Sequence, residues 1–301
     1  MIYPGEISGT LSRKDEYGGA AQQGSDAPLR FGILVDGRYL ARAQPQGMAH
    51  ALAKDGHCVI HLDPQAPLAD FKCLLWRVGL DLLIARGRSA GLLARLSAAE
   101  SVGVPTLNRH KAVAAVIDNT HMATRLRAAG IPASSTWTGA VEQIHRAIPR
   151  AAHSLILNPV HEDNFRRINA VNTRRAHGTA AGSEPRIVPQ RPLPNRGIAV
   201  KLYVIGKRVW AIRDSSPLHG AATADTLLTL PFAWRDLTRR CGDVCGLQLF
   251  CVDCIDSGGA LQVIGIEDFP DYSCVPEADV LLAAHVAQYA QIRRDARRAA
   301  S

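Results

Sequence analysis

Gly246-Leu-Gln-Leu-Phe-Cys-Val-Asp-Cys-Ile-Asp256 is followed by Ser257-Gly-Gly259, by Leu261-Gln-Val-Ile-Gly-Ile-Glu-Asp268 and by Phe269-Pro-Asp-Tyr272. Two apolar runs rich in β-branched and aromatic residues, joined by a Gly-Gly turn, read as a β-hairpin. Each strand carries an acid, Asp253 on the first and Glu267 on the second. Adjacent strands that each present a carboxylate can share a hard cation, and magnesium commonly bridges such a pair to phosphates. Two acids at surface strand ends would show the same spacing, so spacing alone leaves both readings open.

Working outward, Ala199-Val-Lys-Leu-Tyr-Val-Ile205, Gly206-Lys207 and Arg208-Val-Trp-Ala-Ile-Arg213 form a second hairpin pattern with glycine in its turn. Residues 227–245 read as mainly helical. Residues 278–298 read as a closing amphipathic helix with Ala278, Leu281, Leu282, Tyr289 and Ile292 near one face. The N-terminal half has another rhythm. Strands are predicted over 30–36, 57–63, 80–85 and 104–108, and helices over 45–55 and 91–100; this alternation implies βαβ units around a parallel sheet. A helix over 111–130 ends at Ile131-Pro132. Then come a strand over 134–138, a helix over 139–148, a strand over 154–160 and a polar loop over 161–186. The fold class is α/β, turning to α+β in the C-terminal half.

The 301 residues carry 35 Lys and Arg against 27 Asp and Glu, a net charge of +8 that suits an anionic ligand such as a nucleotide. No basic stripe interleaved with aromatics marks a specific nucleic-acid partner, and Arg293, Arg294, Arg297 and Arg298 read as a solvated helix end. No run of 18 apolar residues predicts a membrane span. Residues 1–28 lack an apolar signal-peptide core and read as a flexible tail. An odd set of seven cysteines in a chain of this length points to reduced thiols and a cytoplasmic setting. Cys241, Cys245, Cys251 and Cys254 are close enough to suggest zinc. Residues 251 and 254, however, leave a regular strand on opposite faces. Gly87-Arg-Ser-Ala-Gly91 matches the G-x-S-x-G of a nucleophile elbow between a strand and a helix. Its other reading is a small-residue turn that starts the helix.

The order of segments resembles an ATP-grasp protein over most of residues 30–290. It is most similar to the RimK-like carboxylate–amine ligases, and also to the inositol trisphosphate 5/6-kinases. Gly246 to Asp253 with Val263 to Tyr272 is similar to the family's G-L-D-x-x-G-x-D and V-x-E-x-N-x-F-P-G-Y. Asn195-Arg-Gly-Ile-Ala-Val-Lys-Leu-Tyr-Val-Ile-Gly206 is similar to G-x-x-x-K-x-Y-V-x-G. Asp118-Asn119 through Gly130-Ile-Pro132 is similar to D-K…L…G-I-P, and Leu155-Ile-Leu-Asn-Pro-Val160 to V-V-K-P.

The resemblance implies a pre-ATP-grasp α/β domain over 29–108, a central subdomain over 109–190 and a C-terminal subdomain over 191–301. It implies ATP and Mg2+ as cofactors. Small-molecule or peptide carboxylates and amines are the implied substrates, and a homo-oligomer is compatible with it. Gln190 to Leu193 would receive adenine, Lys201 would reach the terminal phosphate or the acyl-phosphate oxygen, Arg213 would hold an anionic substrate group, and Asp253 and Glu267 would hold magnesium. The chain departs from the pattern at several positions. The two ATP lysines are Asn119 and Asn158, and no lysine occurs between Lys111 and Lys201. The first metal glutamate is Gly265, and the asparagine position holds Glu267. Arg125, Arg127, Arg166 and Arg167 are candidate replacement cations, with Arg166 and Arg167 preferred. Three functions follow from the resemblance. The first is an ATP- and magnesium-dependent ligase acting through an acyl phosphate. The second is a degenerate ATP-grasp protein that binds nucleotide or a partner without catalysis. The third is a phosphotransferase acting on a small hydroxylated anion.

Overall fold

The computed structural model describes residues 27–134, 156–159, 187–190, 198–213 and 226–300. In the N-terminal part β1 (Arg30–Val35), β2 (Cys58–Leu62), β3 (Leu82–Arg86) and β4 (Thr106–Leu107) form a parallel sheet in the order β2-β1-β3-β4. The connecting helices are α1 (Ala43–Lys54), α2 (Leu68–Val78) and α3 (Ala90–Ser101). They cover both faces, which is why β3 is buried from end to end and reads as a continuous apolar run. α2 went unnoticed in the sequence. Phe71 and Leu75 are its two buried residues, one turn apart, and Gly79 ends it in the left-handed conformation at φ 64°.

The helix predicted over 111–130 is two helices, α4 (His110–Ile117) and α5 (Asn119–Ala128). Asp118 breaks the run. Its backbone is extended, and its carboxylate accepts from the amides of Thr120 at 2.8 Å and His121 at 3.1 Å, capping the second helix. Of the strand predicted over 134–138 the described part is Ser134, which follows a single parallel bridge from Ala133 to Val263. The helix over 139–148 and the loop over 161–186 lie outside the described residues. β5 (Ile156–Pro159) and β6 (Ile187–Gln190) pair antiparallel as a separate two-stranded sheet.

The C-terminal part is an antiparallel sheet in the order β11-β10-β7-β8-β9, made of β7 (Ile198–Ile205), β8 (Arg208–Arg213), β9 (Thr226–Leu228), β10 (Leu249–Asp256) and β11 (Leu261–Asp268). Both predicted hairpins are present. The helix expected over 227–245 is shorter, α6 (Phe232–Cys245), because its first residues form the edge strand β9. The closing helix α7 (Ala278–Ala300) buries Ala278, Leu282, Ala283, Val286, Tyr289 and Ala290. Ile292, expected on that face, is 59% exposed. Arg294 is buried instead and donates to the Ala27 carbonyl at 3.0 Å, so the arginine cluster is not wholly solvated.

The antiparallel sheet lies between two cores. One face packs Tyr203, Ile205, Leu249 and Cys251 against Phe31, Met48, Tyr272 and α7. The other packs Leu202, Val204, Phe250 and Val252 against α4, α5 and α6. Among the described residues no helix is long and apolar enough to cross a membrane.

Candidate active site

Strand register decides which side chains meet. Lys201 on β7, Asp253 on β10 and Gly265 on β11 form one cross-strand row. The next row on the same face is Tyr203, Cys251 and Glu267. Asp253 and Glu267 are therefore diagonal neighbours on one face, a separation that two carboxylate side chains can bridge onto a shared cation. The register shift in this hairpin falls after Asp253, between Asp253 and Cys254, so it leaves both rows intact. Asp253 is 6% exposed, and the Lys201 ammonium stands 3.4 Å from its Oδ1.

Glu267 titrates above the ordinary carboxylate range because burial disfavours its charged form. Lys201 and Arg88 pull it back, and the carboxylates of Asp253 and Asp268 push it further up. No set of three or more His, Cys, Asp or Glu that could hold a metal occurs among the described residues. Magnesium in nucleotide sites needs one or two carboxylates plus phosphate oxygens, so the pair Asp253 and Glu267 fits it.

The N-terminal sheet brings in residues that sequence reasoning missed. β3 ends at Arg86, and the turn after it carries Arg88 and Ser89. Arg88 Nε donates to Asp268 Oδ1 at 2.6 Å, and its Nη2 donates to the Ile266 carbonyl at 3.2 Å. Asp36, just after β1, accepts from the amides of Arg88 at 3.0 Å and Ser89 at 3.1 Å and from the Ser89 hydroxyl at 2.6 Å. The Ser89 Oγ also accepts from the Leu92 amide at 3.2 Å. The G-x-S-x-G match is thus a helix cap tied to an aspartate, which corrects the nucleophile-elbow alternative. Arg86 is 3% exposed and lies over the Tyr39 ring, 4.7 Å from its centroid. The available signal was positional. Open α/β sheets put ligands at the carboxyl ends of their strands, and Arg86 ends one.

Arg213 does not join this group. It pairs with Val200, while Lys201 pairs with Ile212, so alternation sends Arg213 to the opposite face. Asn119 opens α5, whose Met122, Ala123 and Leu126 belong to the second core. Asn158 lies opposite Val188, and Gln190 lies opposite Ile156, in the small β5–β6 sheet. Leu193, Arg166 and Arg167 lie outside the described residues. Arg125 donates to the Val244 carbonyl, and Arg127 to Ser134 and Thr124, so these two brace α5 rather than supply free charge. Cys251 and Cys254 fall in different cores, as their spacing predicted.

No family model and no curated protein match this chain. Solved structures do match. A RimK-domain ATP-grasp protein from Sphaerobacter thermophilus is 21% identical, with a TM-score of 0.63 over 86% of this chain and 98% of that one. The ATP-grasp ligase PsnB, solved with a minimal precursor, is 16% identical, with a TM-score of 0.66 over 86% and 99%. D-alanine–D-alanine ligase from Bacillus anthracis, solved with ATP, is 13% identical, with a TM-score of 0.63 over 89% and 99%. Identities this low speak for shared architecture: the chain has the ATP-grasp fold.

Proposed function

We propose that this chain is an ATP- and magnesium-dependent ligase that joins a carboxylate to an amine through an acyl phosphate. The observation that carries the reading is the alignment of Lys201, Asp253 and Glu267 on one face of the antiparallel sheet. Solved proteins of the same fold support it, one with ATP bound and one with Mg and ADP.

Bound Mg-ATP would supply the phosphoryl group that turns a carboxylate into an acyl phosphate, from which an amine displaces phosphate. This chain's residues act by placement and charge. Asp253 and Glu267 would hold the cation, and the Lys201 ammonium, 3.4 Å from Asp253 Oδ1, would lie close to the developing charge. Gln190 and Leu193 would border the adenine by the family resemblance, Leu193 lying outside the described residues. By the same resemblance Asn119 and Asn158 would be neutral donors where lysines would bring charge. The substrate role of Arg213 is dropped because of its face, and the phosphotransferase reading loses that support.

A specific observation favours a second reading, binding without turnover. Gly265 lies directly across from Asp253, so that row holds one carboxylate rather than two.

The thermal midpoint with and without millimolar Mg-ATP tests both. A ligand at a hundred times its dissociation constant stabilises by about 2.7 kcal/mol, a rise of several degrees. Asp253→Asn should remove the magnesium-dependent part. Trapping the acyl phosphate with hydroxylamine then separates the readings. A midpoint rise with no hydroxamate from a panel of carboxylates supports the binder, and no rise at all counts against both.

A further inference from the structure

We infer that Arg86 anchors a carboxylate of the substrate on the N-terminal wall of the cleft, beside Glu267; the inference rests on the ligase reading. Arg86 is buried at the carboxyl edge of the parallel sheet. One of its donors, Nη1, is spent on the Gln44 carbonyl, whereas its Nε is buried with no hydrogen-bond partner. A buried donor left unmet is costly, and here, unlike the equally unmet Nε of Arg95 and Arg294, it belongs to a side chain that lines a cleft with acidic residues. The side chain lines a narrow cleft with Tyr39, Arg88, Glu267 and Phe269. Phe269 holds φ at +46°, a left-handed backbone rare for a non-glycine residue and concentrated at functional sites. The Tyr39 ring fixes the plane of the guanidinium.

The chemistry of the occupant follows from the donor. An Nε–H asks for an acceptor, and a planar guanidinium suits carboxylate geometry. Arg88 is committed to Asp268 and to the Ile266 carbonyl, so it shapes the wall and is not the anchor. The carboxylates of Glu267 and Asp271 are the negative neighbours of Arg86. With Glu267 turned to a cation, Asp271 would remain as the acidic neighbour of the guanidinium, and an incoming carboxylate would add the acceptor that Nε lacks.

Succinate is the probe, with neutral succinamide and inorganic phosphate as controls, each added at millimolar concentration to the full chain holding Mg-ADP. The thermal midpoint should rise with succinate and saturate, and should not rise with succinamide. Arg86→Gln should weaken the apparent succinate affinity about tenfold or more while the protein still responds to Mg-ATP. Arg86→Lys keeps the charge but lacks a donor at the Nε position, and should weaken it too; it carries the test if the glutamine variant does not fold. Equal responses to succinate and succinamide, or an undiminished succinate response in both variants, overturn the assignment. So does an Arg86-dependent response to phosphate that competes with ATP, since the anion would then be the nucleotide's own. Loss of the Mg-ATP response in the unmodified chain is a separate result and sinks the ligase reading instead.

Discussion

Lys201 and Asp253 show how a single pair is held. The Asp253 side chain is 8% exposed and the Lys201 side chain 24%, so water reaches the pair mainly from the lysine. Lys201→Met would take the ammonium at 3.4 Å away from a buried carboxylate and should destabilise by about 2–3 kcal/mol, less than the cost of breaking a fully enclosed pair. Asp253→Asn should cost less, and the double variant should recover most of the loss; urea denaturation of the three variants measures it. This row and the next show which juxtapositions the sequence could expose. Lys201, Asp253 and Glu267 were legible because side chains in strands alternate with period two. Arg213 was open to the same test. With Gly206-Lys207 as a two-residue turn, Ile205 meets Arg208, so Lys201 meets Ile212 and Arg213 falls on the far face. Arg88 had no such route, because its partners Ile266 and Asp268 lie on β11, some 180 residues away, and Arg86 donates to the Gln44 carbonyl on α1, a contact no strand alternation announces.

At the scale of elements, α6 and β10 explain the cysteines. Cys241 and Cys245 are one turn apart on α6 and both face the second core. Burial pushes the Cys241 thiol up to about 12 and the Cys245 thiol up to about 11. Cys251 and Cys254 on β10 are also pushed well above the ordinary thiol value by burial. Native protein at pH 8 should therefore give two fast-reacting thiols, Cys58 and Cys73, with Cys274 slower and these four appearing on unfolding; a thiol-reactive chromophore counts them. The sign for stability follows from linkage. The unfolded thiols ionise near 9 while Cys241 and Cys245 stay protonated in the fold, so stability should fall as pH rises from about 9 towards 11–12. Strongly patterned elements were legible, namely the β7–β8 and β10–β11 hairpins and α7. Weakly patterned ones were not. Asp118 caps one helix where the apolar spacing runs on, and β9 takes its pairing from β8, a contact its own three residues do not announce.

Across the whole molecule, the parallel and antiparallel sheets share one core rather than meeting at a wet seam. Phe31, Val35 and Met48 pack in the same cluster as Tyr203, Leu249 and Tyr272. Polar ties cross the same boundary. Gln44 Oε1 accepts from the Tyr272 amide at 3.2 Å, and Gln44 Nε2 donates to Asp279 at 2.9 Å. Asn108 is the most concentrated of these ties. It is 3% exposed, its Nδ2 donates to the Leu249 carbonyl at 2.6 Å, and its Oδ1 accepts from the amides of Gln248 at 3.0 Å and Leu249 at 3.1 Å. It sits just after β4 and holds the start of β10, the strand that carries Asp253. Asn108→Ala would leave the amides of Gln248 and Leu249 without this acceptor, while the Leu249 carbonyl keeps the Phe269 amide at 2.9 Å, a loss of about 1–3 kcal/mol. Because the core is common, that loss should lower one transition for the whole chain by several degrees and not split it. Calorimetry checks the number of transitions. In a background with the other three tryptophans replaced by Phe, fluorescence of Trp234, on the far side of the antiparallel sheet, should fall in step with far-ultraviolet circular dichroism. Two separated transitions in the variant, with the Trp234 signal surviving the first, would mean that the parallel sheet can let go of the site while the hairpins stand.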